Sequence, residues 1–290
     1  MIVGDWTDAP LEQRALSTTA NPTAGILVPN PLAARVIDLA RAKSVLVAAG
    51  AKTVDMPSGT LTIARVSSDA TMEVKAENSA FTGHDAEFDA VELTAYTIGT
   101  VVKMSRELAQ DAPNAVSVIE STLAKALAAK IDWYGLRGTG SAMPLGLINF
   151  GSTNTEAVGG SVDYDNLLNA LSANEVDNHT SNAYVGSPAN FNVLRQLKSG
   201  DGTNSAALYL DPPAVIKSLQ AFSTSAMPDT TMALGDFSQF LIGLRQSPTI
   251  EVTTEGGDAF EKHQVYVKIT WRGCFNTEHR DAFCLLTGIS

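Results

Sequence analysis

The stretch that most constrains this chain is 111–140, DAPNAVSVIESTLAKALAAKIDWYGLRGTG, its longest uninterrupted helical signal. Val116, Ile119, Leu123, Leu127, Ile131 and Tyr134 recur at three- and four-residue steps, which places them on one stripe of an α-helix. Asp111 is suited to the N-cap and Pro113 to the first turn, while alanines fill much of the remainder. Gly135 is expected to end the helix, with Gly138 and Gly140 keeping it ended. A helix over about 113–135 would be on the order of 35 Å long, comparable to the diameter of a small domain. The other segments must lie along it or hang from it.

Around this spine the chain alternates in character. Residues 1–24 hold Trp6 as their one large apolar anchor and read as an extended arm, ordered only against another surface such as a neighbouring subunit. Asn30 and Pro31 open a short helix carrying Leu32, Val36 and Leu39, and an apolar run at 45–47 reads as a strand. From 52 to 89 polar and charged residues dominate, including Glu73, Lys75, Glu77, Asp85 and Glu87, so this is a two-stranded excursion with hardly any apolar face. Such a hairpin is marginal alone in water and needs something to lie on. The sheet resumes near Phe88, with Val91, Leu93 and Ala95 alternating, and runs to Met104; Ser105 caps the short segment that follows.

Beyond the spine, 138–150 is a glycine-rich crossing that returns Leu145, Leu147, Ile148 and Phe150 to a core. Residues 161–245 read as an α/β lobe: helix 164–175, strand 183–185, helix 188–198, a segment at 215–222 and strand 231–234. The last forty or so residues read as long strands. The fold class is therefore α+β, and no solenoid or propeller repeat is present.

Composition narrows the function classes. A net charge of -11, from 20 basic and 31 acidic residues, argues against a protein whose main work is gripping phosphates. It is compatible with a container whose acidic wall lets packed nucleic acid slide. No apolar run approaches the ~20 residues of a membrane span, and the first residues carry acids where a signal peptide would be basic. The two cysteines, Cys274 and Cys284, are too few for a disulfide framework and match no zinc spacing, so both read as buried thiols.

No catalytic, cofactor or metal site emerges. Gly138, Gly140 and Gly146 leave a helix where a nucleotide fingerprint leaves a strand, and no Gly-Lys-Ser/Thr follows. His84, His179, His263 and His279 are scattered, none with a histidine at i+4. His279, Asp281 and Cys284 could be drawn as a hydrolytic set, but no oxyanion-forming motif accompanies them. Ser187, followed by Pro188, suits a helix N-cap better than a nucleophile elbow, and the sequon Asn178-His179-Thr180 carries no meaning without a secretory route. The acids of 73–89 are better explained as a solvated or partner-facing face than as a cation site.

Taken in order, several marks form a known pattern: GILVP at 25–29, EFDAVEL at 87–93, MSREL at 104–108 ahead of Asp111, the crossing from Gly138 to Gly146, LGDF at 234–237, Ile242-Gly243, FEK at 260–262, and Ala282-Phe283. From about Gly25 to Thr287 the sequence resembles the HK97-like major capsid proteins of tailed double-stranded DNA bacteriophages. The resemblance implies a non-enzymatic structural protein without cofactors. Its parts would be an N-terminal arm at 1–24, an extended β-hairpin loop at 53–90, an α/β axial domain at 161–245, and a peripheral domain at 25–52, 91–160 and 246–290. It also implies hexamers and pentamers closing an icosahedral shell around packaged double-stranded DNA, in a virion assembled in the host cytoplasm with scaffold, portal and cementing proteins. Trp6, Glu73, Lys75, Glu77, Asp85 and Glu87 are the expected inter-subunit contacts.

Some members of that family join neighbours by an isopeptide bond between a loop lysine and an asparagine after the Phe-Glu-Lys stretch, promoted by a glutamate on the next strand. Lys75 could serve as the lysine, but His263 follows Phe260-Glu261-Lys262 and Thr270 stands where the glutamate is expected, so no crosslink is predicted. Many relatives carry a cleaved N-terminal scaffolding segment that has no counterpart in residues 1–24, so a separate scaffold or a mature chain is expected. The rival with the same fold is an encapsulin-type compartment holding a protein cargo, which the long arm disfavours. The rival from another class is a soluble hydrolase.

Overall fold

The structure is a computed structural model that describes residues 44–68, 72, 74, 75, 87–107, 115–151, 153–199 and 208–290. The expected arm, the 30–39 helix and the Asp111 cap lie outside these residues.

The spine is α2, Ala115–Arg137. Of its forecast stripe, Leu123 and Leu127 are buried and Ile119, Ile131 and Tyr134 half-buried. The helix does not stop at Gly135. A short helix, α1 (Val45–Ala48), stands where the sequence suggested a strand, and it packs so closely there that a β-carbon on Gly135 would lie 2.4 Å from Leu46 Cδ1. Glycine is needed at 135 for this approach and ends nothing. Ser44 accepts from Val47 N at the N-cap of α1, and Asp132 of α2 accepts from Ser44 Oγ (2.7 Å), Val45 N (2.9 Å) and Leu46 N (3.3 Å). These bonds outweigh the strand preference of Val45 and Val47.

Two sheets flank the spine. The first is four-stranded, in the order β1 (Lys52–Asp55), β9 (Phe240–Thr253), β10 (Gln264–Thr277), β4 (Tyr96–Ser105). β10 alternates as a half-buried strand should: Val267, Ile269 and Trp271 are buried in one core with Leu123 and Leu127 of α2, while Lys268 and Thr270 are less buried. The second is five-stranded, in the order β5 (Asn154–Ala157), β11 (Phe283–Thr287), β8 (Thr231–Gly235), β6 (Ala183–Gly186), β7 (Gln220–Ser223). Both faces of its central strands β11, β8 and β6 are buried. Phe283 and Leu285 of β11 join the spine's core, whereas Cys284 and Leu286 face α3 (Tyr164–Val176), α4 (Pro188–Gln196) and α5 (Ala214–Ser218).

Two expected bounds shift. β5 and β11 come from outside 161–245, so the α/β sheet borrows a strand from each side of its own segment. Residues 53–55 belong to β1, which pairs parallel with β9, and so lie in the four-stranded sheet instead of the extended loop. Ser187 caps α4 by accepting from Asn190 N, as expected.

Candidate assembly surfaces

The described part of the extended loop is an antiparallel hairpin of β2 (Thr60–Ser68) and β3 (Glu87–Thr94), so the strand beginning near Phe88 completes the hairpin and does not start a new sheet. Strand alternation gives it two unlike faces. On the underside, Leu61, Ile63 and Leu93 pack with Met56 and Cys274 of the chain's own body. The underside is therefore apolar at its base, contrary to the expectation of hardly any apolar face; the charged residues between 69 and 86 had masked this in the sequence. Arg65 secures the next step outward, donating to Glu278 O (2.8 Å) and to Asp89 Oδ2 (2.8 Å). Asn276 Nδ2 adds a bond to Glu92 O at 2.9 Å.

The outer face contains the cross-strand pairs Thr62 with Glu92, Ala64 with Ala90, and Val66 with Phe88. Phe88 is 74 % and Val66 42 % exposed. Two directly opposed apolar side chains gain little from each other while solvent surrounds both; a third surface is required to exclude it. The signal for this pair in the sequence is the alternation in EFDAVEL, which puts Phe88 on the face opposite Val91 and Leu93.

The Arg65 guanidinium beside Asp89 holds that carboxyl below its ordinary range, with the Ala90 amide adding to the effect. A depressed carboxyl stabilises the fold above its unfolded pKa and ceases to do so as pH falls through its folded value. Arg65→Ala should therefore loosen the base, seen as faster hydrogen exchange in β2 and β3 near neutral pH, with the difference shrinking in acid. Equal exchange in the two proteins at neutral pH would contradict this.

The remaining forecast positions fall as follows. Lys75 is exposed, and Glu87 is exposed at the start of β3, opposite Ser68. Trp6, Glu73, Glu77 and Asp85 lie outside the described residues. His263 is exposed in the turn after Phe260, with a left-handed φ of 51°, and its carbonyl accepts from Arg106 N at 3.0 Å. Thr270 Oγ1 lies 2.8 Å from Thr249 Oγ1 across the β10–β9 pair, so its hydroxyl is occupied within the sheet.

The alternative sites do not assemble. Cys284 is buried in the five-stranded sheet, and burial pushes its thiol up to about 11, which leaves no nucleophilic thiolate at neutral pH. The His279 ring rests against that of His179, 5.4 Å between centroids. The glycine crossing is a backbone contact: Gly146 N donates to Gly138 O at 2.8 Å, and a β-carbon on Gly138 would lie 2.0 Å from Pro144 O. Among the described residues no group of three or more His, Cys, Asp and Glu side chains could hold a metal, and no helix is long and apolar enough to cross a membrane.

Comparison with known proteins agrees with this geometry. The model of the phage capsid family matches residues 24–288. No curated protein matches. Among solved structures, the capsid of a native GTA particle computed with C5 symmetry superposes at a TM-score of 0.69 with 18% identity, covering 83% of this chain and 88% of that one. A structure from Mycobacterium phage Adephagia gives 0.69 at 13% identity (85% and 90% covered), and one from Microbacterium phage Oxtober96 gives 0.65 at 15% (86% and 91%). At such identities the structural likeness is one of fold.

Proposed function

Because the chain belongs to the phage capsid family, we propose that its hairpin and flanking surfaces are the joints by which copies of it close an icosahedral shell of hexamers and pentamers around double-stranded DNA. The protein is a structural major capsid protein of the virion, with the HK97-like fold and no enzymatic role. The observation that carries the proposal is the two-faced hairpin. Its underside is anchored on Met56 and Cys274, while its outer face offers Val66 and Phe88 to solvent. A neighbouring copy is the occupant that a repeating shell provides, since heterologous contacts that close a ring build such assemblies. Trp6, Glu73, Lys75, Glu77, Asp85 and Glu87 extend the same contact. Assembly takes place in the host cytoplasm, with scaffold, portal and cementing proteins as further partners.

The nucleic-acid content of purified particles tests the cargo. Nuclease-protected DNA is expected; particles filled with a protein cargo and free of DNA would favour the encapsulin-type compartment. Sizing of the purified chain as a small monomer or dimer under all conditions would contradict a shell altogether.

Two further outcomes follow from the loop. Neutralising Glu73, Glu77, Asp85 and Glu87 together should lower particle yield several-fold with little change in subunit unfolding, because charges on a polar loop contribute little to a fold. A subunit that unfolds while the remaining assembled yield stays normal would contradict it. Denaturing gels of mature particles should show single-chain bands, since His263 and Thr270 occupy the positions that the linking chemistry needs. A ladder of covalent multimers would overturn this.

A further inference from the structure

We propose that the outward arc of α2 carrying Lys125, Trp133 and Lys130 is the surface on which the shell touches the phosphate backbone of its DNA, an inference that rests on the container reading above. At about 100° per residue, the order around the helix is Lys125, Ala129, Trp133, Ala126, Lys130. Two exposed lysines thus rim a floor of alanines and one indole. This arc forms one wall of an open groove of about 490 Å³, whose far side is Thr224, Ser225 and Ala226. The small floor lets a sugar-phosphate strand approach closely, and the lysines stand where they can take one phosphate each.

Charge supports the assignment. The chain as a whole carries -11, yet over 121–137 its charged residues are Lys125, Lys130, Arg137 and Asp132. Asp132 borders the groove, but it is 4 % exposed and spends its oxygens on Ser44, Val45 and Leu46, so little of its charge reaches solvent there. Elsewhere, Lys52, Lys217, Lys262 and Lys268 each reach a carboxylate. Among the described residues Lys125 and Lys130 do not, nor do Lys103 and Lys198, which lie over the Tyr266 and Tyr209 rings; Lys130 lies over the Trp133 ring, 5.5 Å from its centroid. Two phosphate contacts per subunit are weak singly and numerous in a shell, which suits a wall that holds DNA without gripping it.

The test uses the full-length, unassembled subunit and a fluorescent duplex of about 20 base pairs at low salt, comparing wild type with K125Q/K130Q. Lys217→Gln, in the remote pair with Asp211, is the control, and circular dichroism checks folding. The double variant should bind at least about tenfold more weakly, with its salt slope reduced by roughly 2, while the control stays at wild type. Unchanged affinity and slope in the double variant would overturn the inference even if particles contain DNA. Binding of poly-glutamate without binding of the duplex would also overturn it, assigning the groove to an acidic protein. Particles devoid of DNA, with duplex binding by the groove intact, would instead locate the failure in the container reading.

Discussion

Replacing Phe88 and Val66 together by aspartate should reduce the yield of closed shells by at least an order of magnitude while leaving the unfolding of the isolated subunit within about 1 kcal/mol of wild type. The two side chains oppose each other on the outer face of β2–β3, and both are substantially exposed. Substitution on an exposed face away from special contacts alters folding stability little. At a subunit contact the same change buries two carboxylates against an apolar surface, at a cost of several kcal/mol unless they are paired. Because a shell multiplies each contact over all its copies, a modest loss per contact suffices to prevent closure. Sedimentation of the assembly mixture and denaturant unfolding of the subunit separate the two effects. Normal shells from the double variant would show that the outer face of the hairpin stays in solvent.

The second large effect is on folding itself. Asp132→Ala should lower subunit stability by about 3 kcal/mol at neutral pH, because it leaves the Ser44 hydroxyl and the Val45 and Leu46 amides without their acceptor at a buried site. Those bonds also fasten α1 to the spine above Gly135, so the loss reaches the packing of Leu46. The pH profile carries its own signature. Burial raises the Asp132 carboxyl, and this outweighs the opposing pull of the hydrogen bonds from Ser44, Val45 and Leu46. A carboxyl raised in the fold binds its proton more tightly there than in the unfolded chain, so its contribution grows as pH falls from the raised value towards the unfolded one. Asp132→Asn keeps an acceptor without the buried charge; it should cost less than alanine and remove that gain towards acid. A change below about 0.5 kcal/mol for Asp132→Ala would contradict the proposed role.

What the sequence discloses is where local preferences and tertiary packing point the same way. The spine was legible because propensity, spacing and burial agree from Ile119 to Tyr134. Its end was not. Gly135 is a packing glycine, and the helix that requires it, α1, is held by a carboxylate 86 or more residues away. Val45 and Val47 look like strand residues until that distant cap is counted. The α/β lobe was legible as alternating helices and strands, but the borrowing of β5 and β11 depends on long-range pairing that local pattern does not encode. The hairpin reads in sequence as an unsupported element, because the charged residues of 69–86 dominate its composition over the apolar anchor of Leu61, Ile63 and Leu93 and the exposed pair above it. The lysine rim of α2 was hidden differently. In sequence Asp132 offsets one of the lysines, and only burial of that carboxylate leaves the outward arc cationic.

The measurement that bears most directly on the central claim is electron cryo-microscopy of particles assembled from the purified chain, with the hairpin traced between adjacent copies. The account predicts closed shells in which Phe88 and Val66 are covered by a neighbouring subunit. Solitary subunits, or shells whose hairpin folds back over its own body with Phe88 buried there, would contradict it.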